Sequence, residues 1–117
     1  MDISKMELSP PLKPAIFHIL LALAEGDKHG YAVMLAVRQL SGGRIPLQTG
    51  SFYRHLGKLI DAELVMTGKG RPADDDPRRG AYYRLTPRGR DVLAAEKQRL
   101  RDLITGVPMR PSRKESR

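Results

Sequence analysis

A chain of 117 residues with 40% hydrophobic and 29% charged residues has the balance of one folded domain with a single modest core, not of a disordered polymer. Its formal net charge of +8 calls for a polyanion as partner, nucleic acid or an anionic membrane surface, unless the excess sits on a solvating tail. The absence of cysteine excludes a disulfide framework, a thiolate metal site and a cysteine nucleophile.

Ser9-Pro10-Pro11 reads as an extended lead-in, so residues 1–11 form an N-terminal extension. From Leu12 to about Glu25 nearly every position is apolar, including Ala15, Ile16, Phe17, Ile19, Leu20, Leu21 and Leu23. Such a helix has to be covered on almost all sides, at the centre of a small helical domain or against a second subunit. It is too short for a bilayer, which takes ~20 apolar residues. Asp2 and Glu7 precede it, which a signal peptide would not tolerate well. A cytoplasmic protein with no membrane partner is the expectation.

The run Gly26-Asp27-Lys28-His29-Gly30 breaks the pattern, and a second helix is predicted from Tyr31 to Ser41, apolar at Tyr31, Leu35, Val37 and Leu40. Gly42-Gly43 stops it. A third helix runs from about Thr49 to Ala62, with Thr49 as its N-cap. The period then shortens to two. Leu64–Thr67 and Ala81–Leu85 read as strands flanking a stretch rich in Gly, Pro and charge, hence a hairpin with a long tip. Thr86-Pro87 is a strong start signal for a fourth helix ending at Gly106. The final VPMRPSRKESR reads as a disordered basic tail.

Three helices followed by a hairpin is the order of a winged helix-turn-helix domain, mainly α with a small two-stranded β-hairpin. The expected division is 12–86 for that domain, 87–105 for a C-terminal dimerisation helix and 106–117 for the tail. In such a domain the third helix enters the major groove of double-stranded DNA and the hairpin lies beside it. Charge supports this placement: residues 42–90 carry ten Lys/Arg against five Asp/Glu, whereas residues 1–41 are balanced. At 100° per residue, Phe52, Leu56, Leu59 and Ile60 share one face of the third helix. Ser51, Arg54 and Lys58 lie opposite, with Tyr53 and His55 at the flanks. A hydroxyl, a guanidinium and an ammonium suit phosphate oxygens and the acceptor edge of guanine. A solvated surface has the same composition, so the helix alone leaves both readings open. The cations of the hairpin favour DNA. Lys69, Arg71 and Arg79 are the expected wing contacts, because Asp74, Asp75 and Asp76 at the tip would be repelled by phosphate.

Three separated motifs then carry a resemblance. His29-Gly30-Tyr31 opens the second helix, Gly50-Ser51-Phe52-Tyr53 lies in the third, and Tyr82-Tyr83-Arg84-Leu85-Thr86-Pro87-Arg88-Gly89 joins the wing to the fourth. In this order, over roughly residues 12–104, the chain resembles the PadR-like transcriptional regulators. The resemblance implies a homodimeric repressor released by a small-molecule effector bound at the dimer interface, and a palindromic operator. It implies backbone contacts from His29, Tyr31 and Tyr53, and groove contacts from Ser51 and Arg54, beside Thr49 and Lys58. A single C-terminal helix, as in the family's short members, implies dimerisation through Leu93, Leu100, Leu103 and Ile104, with Phe17 of the first helix. Phe17 is also the aromatic nearest a central effector cavity. Two positions depart from the family pattern. Arg54 replaces a frequent proline and adds charge where sequence would be read, and Glu63 stands where a glycine often ends the third helix.

Catalytic, cofactor and metal sites are not expected. His18, His29 and His55 lie on different elements without ligand spacing, and Gly68-Lys69-Gly70 is too short to cradle a phosphate in the P-loop manner. The competing reading is a winged helix that binds DNA without sequence preference, or binds protein. A specificity ratio over random DNA of ~10³ or more separates a sequence reader from such an architectural binder.

Overall fold

The structure, a computed structural model, describes residues 8–68 and 81–112. The most apolar stretch of the chain becomes the axis of the fold. Helix α1 (Pro14–Ala24) starts on proline, whose fixed φ suits a first helical position, and buries Ile16, Ile19, Leu20, Ala22 and Leu23. Strand β1 (Lys28–His29), helix α2 (Gly30–Leu40), helix α3 (Thr49–Asp61), strands β2 (Val65–Gly68) and β3 (Tyr82–Leu85), and helix α4 (Pro87–Gly106) follow. Helices α2 and α4 and strand β3 all pack on α1. One core joins them, with Val33, Val37, Phe52, Leu56, Leu59, Val65, Leu85 and Leu93 set against the α1 residues.

Among the described residues the sheet has three strands in the order β1-β3-β2, one more than the expected hairpin. Lys28 pairs with Tyr83 and His29 with Tyr82. Two residues carry no period of their own, so β1 exists only because β3 offers it an edge. Helix α2 also turns a different face inward. Val33, Ala36 and Val37 are buried, whereas Tyr31, Leu35 and Leu40 of the expected apolar set are exposed. Small side chains bring α2 close to α1, an approach that the larger residues would prevent. The expected cap is displaced as well. Gln48 takes the N-cap position of α3 with no side-chain bond, and Thr49 is already helical. Gly106 lies inside α4 rather than after it.

At the other end of α3 the departure at Glu63 has a visible consequence. Glu63 has φ 64°, in the left-handed region that favours glycine. Its N–H donates to the Ile60 carbonyl and the Leu64 N–H to the Leu59 carbonyl, both at 2.9 Å, the double bond pattern of a Schellman termination. Among the described residues its side chain makes only an exposed 3.7 Å pair with Arg88. Replacing Glu63 with Gly therefore removes strain and little else. We expect a gain of about 1 kcal/mol, or about 5 °C in thermal midpoint. A lower midpoint on thermal unfolding would show that the Arg88 pair outweighs the backbone strain.

Leu8 and Leu12 are 4% and 8% exposed, so the expected N-terminal extension joins the core from Leu8 onward. Its anchor is Glu96 of α4, 2% exposed, whose Oε2 accepts the Leu12 N–H at 2.8 Å. Arg99 donates to the same carboxylate, through Nε at 2.6 Å to Oε1 and through a terminal nitrogen at 3.2 Å to Oε2.

Candidate nucleic-acid interface

Helix α3 buries Phe52, Leu56 and Leu59 and leaves Thr49, Tyr53, Arg54 and Lys58 exposed, as the helical angles require. Ser51 is half-buried, and its hydroxyl donates to the Gln48 carbonyl at 3.0 Å. That bond uses the hydroxyl's one proton, so Ser51 can still accept from a base amino group but must exchange it to donate to phosphate or to guanine. Arg54 and Lys58 lie one turn apart on the outward face, so the helix presents two cations where a major groove would lie.

Tyr53 holds this helix in place from the side. Its ring meets Phe52 edge-on at 5.0 Å, and its hydroxyl lies over Gly30, where a Cβ would come within 2.5 Å of it. The glycine of the His-Gly-Tyr motif is thus the seat of a tyrosine from the third helix. Tyr83 of β3 joins the same corner: its hydroxyl is pushed above the ordinary value by burial and, secondarily, by Tyr53. One side chain therefore ties α3 to the start of α2, while staying 47% exposed.

His29 caps α2, its Nδ1 accepting the Ala32 N–H at 3.4 Å, and meets Tyr82 edge-on at 5.8 Å. Tyr31, in the first turn of α2, is 65% exposed. At the wing base, Arg84 donates through Nε at 3.0 Å and a terminal nitrogen at 2.7 Å to Asp27 Oδ2. Lys69, Arg71, Arg79 and the acidic triplet Asp74–Asp76 lie outside the described residues.

His55, on the flank of α3, sits below its ordinary value through burial and then through the positive field of Lys58, Arg54 and Lys13. That shift favours the neutral imidazole, so the charge of this surface comes from the lysines and Arg54. Lys13 belongs to the segment before α1 and carries no sequence signal of a role in binding. Only the packing of that segment on α3 brings it here, so no local pattern marks it.

Among the expected dimerisation residues, Leu93 already lies in the core of its own domain, which removes it from any free face. Phe17 and Leu100 are half-buried. Leu103, Ile104 and Val107 are 56%, 72% and 69% exposed on the end of α4. Among the described residues no group of His, Asp and Glu side chains could hold a metal ion, and no helix is long and apolar enough to cross a membrane.

A core of three helices, a cationic helix turned outward and a wing beside it define a winged helix-turn-helix DNA-binding domain. Residues 19–95 match the family model described as the transcriptional regulator PadR-like family, and the chain belongs to that family of DNA-binding regulators. A PadR family transcription regulator from hypervirulent Clostridium difficile R20291 shares the fold, with a TM-score of 0.63 and 24% identity over 78% of this chain and 91% of that one. So does a transcriptional regulator from Clostridium thermocellum, with a TM-score of 0.62 and 22% identity over 74% and 80% of the two chains. In sequence, 78 residues are 41% identical to an uncharacterized 37.1 kDa protein in transposon TN4556 of Streptomyces fradiae. They make up 67% of this chain and 20% of that protein, so the chain spans about one fifth of that relative's length.

Proposed function

We propose that the protein is a sequence-specific repressor that acts as a homodimer on a palindromic operator and is released by a small-molecule effector at the dimer interface. The observation that carries sequence reading is the outward face of α3. Arg54 and Lys58 stand clear of the core while Tyr53 seats the helix against the start of α2. Arg54 reads base edges, Lys58 and Tyr31 hold phosphates, and Lys69, Arg71 and Arg79 contact the backbone from the wing. Thr49 and Ser51, in the first turn, face the groove, and His29 sets the start of α2 against the backbone.

Binding to a duplex selected from a random pool tests this. Arg54→Ala is expected to cost about 1–3 kcal/mol on the selected site and much less on random DNA, since the guanidinium no longer reaches a base edge. Equal losses on both duplexes would make Arg54 a phosphate ligand and the protein an architectural binder.

Dimerisation is supported by the end of α4, where Leu103, Ile104 and Val107 are exposed side by side within about one turn. A two-fold pair of such helices would bury them and present two α3 helices to successive half-sites. Replacing both Leu103 and Ile104 with Asp is expected to give monomers with an unchanged thermal midpoint at high dilution. Sedimentation showing an intact dimer would refute this interface. The effector is assigned to the space between the paired α4 helices and Phe17.

A further inference from the structure

The buried Glu96 has no part in the DNA-binding face, and neither has the ordered segment that it holds. Residues 8–13 run from the α3 side of the domain to α4. At one end, Leu12 donates its N–H to Glu96. On its other side, Leu8 and Lys13 close around a small cavity together with Ile16 of α1 and His55 and Lys58 of α3. The segment thus braces the flank of the recognition helix and sets Lys13 beside it. Among the described residues the Lys13 side chain is exposed, and no carboxylate pairs with it. Its charge reaches His55 together with those of Lys58 and Arg54, so all three cations share one local field.

We propose that Lys13 is a further ligand of the DNA backbone, and that Glu96 is the positioning residue that puts it there. A phosphate approaching Lys58 along the flank of α3 meets a second ammonium from a different part of the chain. Glu96 touches no DNA. It fixes Leu12, and with it the adjacent Lys13, through a bond that survives because the carboxylate is buried and itself held by Arg99. The inference rests on the DNA-binding reading of α3.

Salt titration of binding to a labelled random-sequence duplex tests it without knowledge of the operator. Removing one cation that neutralises a phosphate makes the slope of log affinity against log salt shallower by about 0.9. Lys13→Gln is expected to lose one such increment, and so is Lys58→Gln. Glu96→Leu should lose the Lys13 increment and speed amide exchange at Leu8, Ser9, Leu12 and Lys13 while α1 and α2 stay protected. Glu96→Gln, which keeps an acceptor for the Leu12 N–H, should retain the slope. Should Glu96→Leu fail to fold, Leu8→Ala is expected to release the same increment. If Lys58→Gln moves the slope and Lys13→Gln does not, the proposal is overturned while the reading of α3 stands. If neither moves it, the reading of α3 fails too.

Discussion

Gly89→Ala is expected to unfold the protein at a thermal midpoint lower by about 10 °C or more, although alanine is the better helix former by about 1 kcal/mol. Gly89 lies in the first turn of α4, where a Cβ would collide with the backbone carbonyl of Leu64 and crowd Leu85. A backbone atom cannot swing aside as a side chain can. Three further bonds converge on the same corner. The Thr86 N–H donates to the Leu64 carbonyl at 3.1 Å, the Thr86 hydroxyl to the Glu63 carbonyl at 2.7 Å, and the Gly89 N–H to Thr86 Oγ at 2.9 Å. Backing α4 away to admit a methyl group would stretch the two bonds from Thr86 to the α3–β2 turn, so the net loss is about 2–3 kcal/mol. Gly57 is the internal control. Nothing lies within 4 Å of the Cβ it lacks, and Gly57→Ala should gain up to about 1 kcal/mol. Equal midpoints for the two variants would mean that α4 docks less closely on the α3–β2 turn than the structure shows.

This corner also shows what the sequence made legible. Glycine in Tyr-Tyr-x-Leu-Thr-x-x-Gly can be recognised as part of a pattern, but its reason is a close approach between residues that are far apart in the chain. The same holds for Gly30, whose partner is Tyr53. Helices α1, α3 and α4 and the two wing strands are readable because each has a period, a cap or a breaker of its own. The outward placement of Arg54 and Lys58 follows from helical angles alone. What stays hidden depends on proximity across the chain. Strand β1 is defined by β3, the buried face of α2 by the closeness of α1, and the order of the residues before α1 by Glu96. Within α4 a glutamate among Arg, Lys and Gln looks like solvated surface, and nothing local marks Glu96 as buried. Lys13 escapes notice for the same reason: its neighbours in space are not its neighbours in sequence.

Glu96 gives the second large effect, and acid brings it out. Its carboxyl is held below the ordinary glutamate value, first by the Arg99 hydrogen bonds and then by the Leu12 N–H, against the opposing push of burial. A depressed folded value means that the unfolded chain takes up its proton first as pH falls. The stabilisation is therefore complete above the unfolded value of about 4.5, shrinks below it, and is gone once the folded carboxyl is protonated. Glu96→Leu removes the acceptor at every pH and leaves the Leu12 N–H buried without a partner, a loss of about 1–3 kcal/mol from that donor alone. Glu96→Gln retains an acceptor but not the charge, so it should be less stable than the parent at pH 7 and approach it near pH 3. Urea unfolding of the parent and the Gln variant across that range is the measurement, and curves that stay parallel would show that no proton is linked to this site. Converging curves would instead show that protonation of Glu96 removes its contribution to the stability of the fold. Acid would then weaken the hold of α4 on residues 8–13 without touching the apolar packing of Leu8 and Leu12, which lie in the same core as α1, α2 and α3.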